Sequence, residues 1–167
     1  MTMPHILAFS RNRITSVELI DDQTIRSACR LQDSLTHAFV ELTVKLPDLE
    51  ITSATGDFYR TFQEECLNPA EALQQVIGVR VGPGMLKIIP GLIEEKSDCK
   101  QLAFMVEECC HGVILAFTKD ELLKSPEQLE GNIKFYQDMI RNNIRLYNRC
   151  AAFAKGSPMV EGIEPPE

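Results

Sequence analysis

Tryptophan is absent from this chain of 167 residues, histidine occurs three times, and aromatic residues of all kinds make up 7%. Cys-x-x-Cys is also missing, and with it the spacing that would point to a zinc ribbon or a thioredoxin-like redox motif. Basic residues are in deficit, 17 against 24 acidic ones, for a net charge of −7. Phosphate binding needs a basic face, so the composition excludes nucleic acid as an expected partner. No apolar run approaches the roughly 20 residues that span a bilayer, and residues 1–5 lack the basic-then-apolar layout of a secretory signal. The expectation is a cytoplasmic chain without a membrane partner. In that compartment the six cysteines are expected as thiols or metal ligands rather than disulfides.

What is present fits one ordinary domain. With 44% hydrophobic residues the chain can bury a core without staples. The first half reads as strands. Residues 14–20 are rich in β-branched side chains, Asp21 and Asp22 supply a turn, and 24–32 follow as a second strand. Over 37–46 the apolar Val40, Leu42, Val44 and Leu46 alternate with Phe39, Glu41, Thr43 and Lys45, a period of two that predicts one buried face. Pro47 and Asp48 break this strand, and a fourth is expected over 49–55. Short connections favour an antiparallel meander of three to four strands.

The second half reads as helices. Asn68 and Pro69 are expected to open a helix over 69–77 that Gly78 closes. After Gly82, Pro83 and Gly84 a short helical segment is expected to end or kink at Pro90 and Gly91. Ser97 or Asp98 can cap the next helix, whose apolar positions Leu102, Ala103, Val106, Cys109, Cys110, Val113, Ile114 and Phe117 recur at helical spacing. This predicts the central core helix. Ser125, Pro126, Glu127 and Gln128 resemble a capping box that opens a last helix reaching Ala154. That helix, of about 29 residues, would run about 43 Å at 1.5 Å per residue, longer than the domain's own sheet requires, and it carries a stripe of Leu129, Ile133, Tyr136, Ile140, Ile144, Tyr147 and Ala151. Part of that stripe is therefore a candidate contact with a protein partner or a second copy. The reading is a single α+β domain over 1–155 with a flexible tail over 156–167 that contains Pro158, Pro165 and Pro166.

Few residues commit to chemistry. Cys109 and Cys110 sit on the apolar stripe, where free cysteine serves as a small hydrophobe. Cys99 lies in the expected first turn of a helix, where the dipole and free backbone N–H groups favour a thiolate. Cys66 occupies a comparable place before Asn68 and Pro69. Glu108 and His111 have the spacing of a di-iron half-site, but the chain holds one copy and such a site needs two, so they read as a surface pair. The glycines at 78, 82 and 84 match neither a P-loop nor a dinucleotide fingerprint. His5 and His37 are isolated.

These residues carry a resemblance. Residues 42–117 resemble the bacterial domain-of-unknown-function family 2889, similar in arrangement to the SufE and NifU-type iron–sulfur scaffold proteins. The family's Leu-Val-Gly-x-Arg-Ile-Gly-x-Gly motif is matched at residues 76–84, from Val76 through Gly78, Arg80 and Gly82 to Gly84. Its Gly-Cys-Thr-His-Leu motif is replaced at 98–102, where Cys99 and Leu102 remain but Asp98, Lys100 and Gln101 stand for glycine, threonine and histidine. The resemblance implies an antiparallel sheet packed on helices, and places Cys66, Cys99 and an assisting Asp98 beside the Gly82, Pro83 and Gly84 turn as a thiol-lined site for a metal, a sulfur species or a partner. Two readings follow: a non-catalytic binding or carrier protein, or a small enzyme using Cys99 as a thiolate. No bound metal is expected, because two thiols without the family's histidine fall short of four ligands; the alternative is zinc or an iron–sulfur cluster.

Overall fold

The computed structural model describes residues 7–82, 84–123, 131–148 and 150–165. Four strands, β1 (Arg11–Asp21), β2 (Thr24–Asp33), β3 (His37–Lys45) and β4 (Glu50–Arg60), form one antiparallel sheet in sequence order. They are followed by α1 (Ala70–Gln74), α2 (Met85–Glu94), α3 (Lys100–Leu123) and α4 (Ile133–Asn142). The architecture is α+β.

Alternation along the strands decides which face is covered. Ile25, Cys29 and Leu31 on β2 are buried, as are Ala38, Val40, Leu42 and Val44 on β3 and Ile51 on β4. The register places Cys29 beside Val40 and Ser27 beside Leu42, so these residues share one face. Onto it α3 lays Leu102, Val106, Cys109 and Val113, each fully buried. A buried side chain of this kind contributes about 1.5–3 kcal/mol of transfer free energy, so this seam is the main support of the fold.

Small residues let α3 approach the sheet. A Cβ on Gly112 would stand 2.9 Å from Thr15 Cγ2 and 3.0 Å from Val17 Cγ2. The buried Ser27 hydroxyl donates to the Cys109 carbonyl at 2.7 Å, giving a polar group under the helix its partner. At the β2–β3 turn Asp33 accepts from the N–H groups of Leu35 at 2.7 Å and Thr36 at 2.6 Å and from Arg11 Nε at 2.8 Å. Burial alone would raise the Asp33 pKa, but the two N–H groups and the guanidinium outweigh it and hold the carboxyl below its ordinary value.

The glycine motif has a structural use. Gly78, at φ 87°, turns the chain out of α1. Residues 78–81 then run along the start of β4, with bonds from Gly78 N to Ile51 O at 2.8 Å, Ile51 N to Val79 O at 2.9 Å and Val81 N to Leu49 O at 2.8 Å. This covers part of an otherwise open sheet edge. Gly84, at φ 85°, is the N-cap of α2.

Of the two outcomes expected at Pro90, ending or kinking the helix, the first does not occur: α2 continues through it to Glu94, and the carbonyl left without a donor belongs to the exposed Leu86. Other expectations need correction. The expected long last helix is broken. Its capping box, residues 125–128, lies outside the described residues; α4 is capped by Asn132, whose side chain accepts from Phe135 N at 3.0 Å, and ends at Asn142. Asn143 leaves helical geometry at φ −138° and Asn148 is left-handed at φ 58°, so short 3-10 turns at Ile144–Leu146 and Ala151–Phe153 replace the helix. On the expected stripe Ile140 and Tyr147 are buried within this chain, Tyr136 and Ile144 are half-buried, Ile133 and Ala151 are exposed, and Leu129 lies outside the described residues, so the stripe is divided rather than continuous. Within the C-terminal segment Pro158–Val160 forms a further 3-10 turn and Val160 is buried. Finally, Lys100–Lys119, with a mean hydropathy of 1.2, is long and apolar enough by composition alone to cross a membrane, although half of that stretch is buried in the domain.

Candidate ligand cleft and the cysteine pair

Cys66 and Cys99 are brought together, with their Cα atoms 5.1 Å apart, and are joined as a disulfide. Local geometry explains the meeting. Cys66 ends the 3-10 turn Glu64–Cys66, and Cys99 precedes α3, its carbonyl accepting from Leu102 N at 3.0 Å. Ser97 clasps the two segments: its hydroxyl donates to the Glu65 carbonyl at 2.7 Å and accepts from Cys99 N at 3.2 Å.

This arrangement corrects the expected thiol-lined site. The two sulfurs are bonded to each other, so neither is a free thiol or metal ligand, and the expectation of reduced cysteines fails for this pair. Cys99 is 1% exposed rather than accessible, because the chain around Cys66 covers it. Asp98 is exposed beside it, Gly82 is buried, and Pro83 lies outside the described residues. The residues of the implied metal or cluster site therefore do not fit such a group in this state. Among the described residues no three of His, Cys, Asp and Glu gather closely enough to hold a metal.

The other cysteines divide clearly. Cys29, Cys109 and Cys110 are buried, whereas Cys150 is exposed. Burial pushes the Cys109 thiol up, with Cys29 and Cys110 adding to it, and its Sγ donates to the Val40 carbonyl at 3.7 Å. It is a core residue. Cys150 lies beyond the break after α4, just before the 3-10 turn Ala151–Phe153.

That same break builds a cleft of about 470 Å³ between α3, α2, β1 and the C-terminal turns. Glu108, His111, Leu115 and Thr118 recur at helical spacing and present one face of α3 to it. Leu86, Ile114, Leu115, Leu146 and Phe153 supply apolar walls, and Glu108, His111, Thr118, Asn148 and Cys150 supply polar groups. The far wall is fixed by Asn148, whose left-handed backbone lets its N–H donate to the Phe153 carbonyl at 2.9 Å. Phe153 also meets the Tyr136 ring, with centroids 6.3 Å apart. The Glu108 carboxylate also lies 3.3 Å from Arg13 Nε on β1.

The sequence pattern did not reveal this cleft. The line from Glu108 through Leu115 to Thr118 was a usable signal on the flank of the core stripe; Leu86, Leu146, Asn148 and Phe153 carried none. No family model, no curated protein and no solved structure matches the chain.

Proposed function

We propose that this chain is a non-catalytic binding or carrier protein whose ligand occupies the cleft along α3. The observation that carries this reading is the cleft itself: about 470 Å³, with apolar walls from three parts of the chain and a few polar groups. Small-molecule sites are commonly about 300–1,000 Å³ and built in this way. Relationship to the family resembled by the glycine motif, and to SufE and NifU-type scaffolds, belongs to the proposal as a shared architecture with the site displaced from the cysteine pair to the cleft. The thiol-enzyme reading is weaker, since a buried disulfide gives Cys99 no thiolate with which to attack.

The test uses a neutral apolar fluorophore, N-phenyl-1-naphthylamine, titrated into the wild-type chain and into Leu115→Arg. Leu115 is 65% exposed, so the substitution changes the cleft without emptying the core. Saturable binding by the wild type, weakened at least tenfold in the variant, is expected. Equal binding by both would refute the assignment.

A further inference from the structure

The electrostatics of the cleft point to a class of ligand, an inference that rests on the binding reading just given. Among the described lining residues Glu108 is the one carboxylate, and its charge is already met by Arg13 at 3.3 Å. Arg13 is itself held, with its guanidinium 4.8 Å over the Phe104 ring, so the pair forms a fixed and internally neutralised unit. Thr118 donates its hydroxyl hydrogen to the Ile114 carbonyl at 3.0 Å, which leaves the oxygen as an acceptor. Asn148 adds an amide that can both donate and accept.

We infer that the cleft takes an uncharged amphiphile: one apolar chain or ring against Leu86, Ile114, Leu115, Leu146 and Phe153, with a neutral hydroxyl or amide end at Thr118 and Asn148. An ionic head would give up hydration on entering and find no uncompensated opposite charge among these groups, a cost that an apolar wall cannot return. A hydroxyl loses less and has acceptor and donor partners waiting. The Thr118 oxygen can receive its hydrogen, and the Asn148 amide can serve its lone pairs.

Calorimetric titration with 1-octanol, octanoate and octylammonium, three probes sharing one chain, separates the possibilities. All three titrations are run at pH 8, where octanoate and octylammonium are both ionised. Octanol is expected to bind at least tenfold more tightly than either ion, and Thr118→Val is expected to reduce octanol affinity about three- to tenfold, the loss of one neutral hydrogen bond. Octanoate or octylammonium equalling octanol would overturn the ligand class. If the neutral fluorophore binds but octanol does not, the class also fails while the cleft stands. If neither the fluorophore nor any of the three probes binds, the binding reading falls and this inference with it.

Discussion

Opening the Cys66–Cys99 disulfide should remove a large share of this domain's stability. The two residues are 33 apart in sequence, and the entropy lost by the unfolded chain on closing a loop of that length corresponds to about 4 kcal/mol at 25 °C. Domains commonly unfold with about 5–15 kcal/mol, so the staple is a substantial part of the whole. Native packing should not offset this loss, because both residues are already buried and Ser97 still clasps Glu65 to the start of α3. The assay is urea denaturation of the oxidised chain and of Cys66→Ser/Cys99→Ser, followed by circular dichroism. The variant should unfold at a clearly lower midpoint with a similar or larger slope, since an unlinked chain exposes more surface. Thiol titration in denaturant without reductant should return the four remaining cysteines. Finding six, or an unchanged midpoint, would refute the reasoning and return Cys66 and Cys99 to the list of candidate ligands.

Two further outcomes follow from single contacts. Gly112→Ala should gain about 0.8–1 kcal/mol of helix propensity, yet its Cβ would meet Thr15 and Val17 at 2.9 and 3.0 Å. Overpacking of that kind costs about 1–3 kcal/mol, so the net change should be destabilising, and a raised melting temperature would contradict the close approach. Asp33→Asn should destabilise the chain at neutral pH, and the gap from wild type should close on acidification. The sign follows from the depressed pKa: the contribution of the ionised Asp33 is complete above its unfolded value of 3.8 and is lost as pH falls through the lower folded value. Parallel pH–stability curves for the two proteins would count against it.

The parts of the fold that could be read in advance are those with a strong period. Val40, Leu42 and Val44 alternate over one uninterrupted strand, and Leu102, Val106, Val113 and Ile114 keep helical spacing; both sets are buried in one shared core. The proximity of Cys66 and Cys99 was an implication of the family resemblance and not of any period in the sequence. Their oxidation and burial were legible in neither. Those depend on Ser97 holding Glu65, a contact 32 residues long-range that has no periodic signature. The last helix misled for a different reason. Ile133, Tyr136, Ile140, Ile144 and Tyr147 continue a helical stripe straight across Asn142 and Asn143, and an apolar period cannot register that two weak helix formers let the backbone leave.

That departure ties the fold to the proposed site. Had the helix continued from Asn142, Phe153 would stand about 16 Å farther along its axis, at 1.5 Å per residue, carried away from α3 together with Leu146, Asn148 and Cys150. The cleft would then lose a whole wall. By turning at Asn143 and again at Asn148, the chain folds those four residues back across the face of α3 that carries Glu108, Leu115 and Thr118. Buried Leu146, Tyr147 and Phe153 give that return its own apolar anchor. The apolar residues that resembled one long stripe are thus divided between closing the core and walling a cavity, and the asparagines between them decide the division.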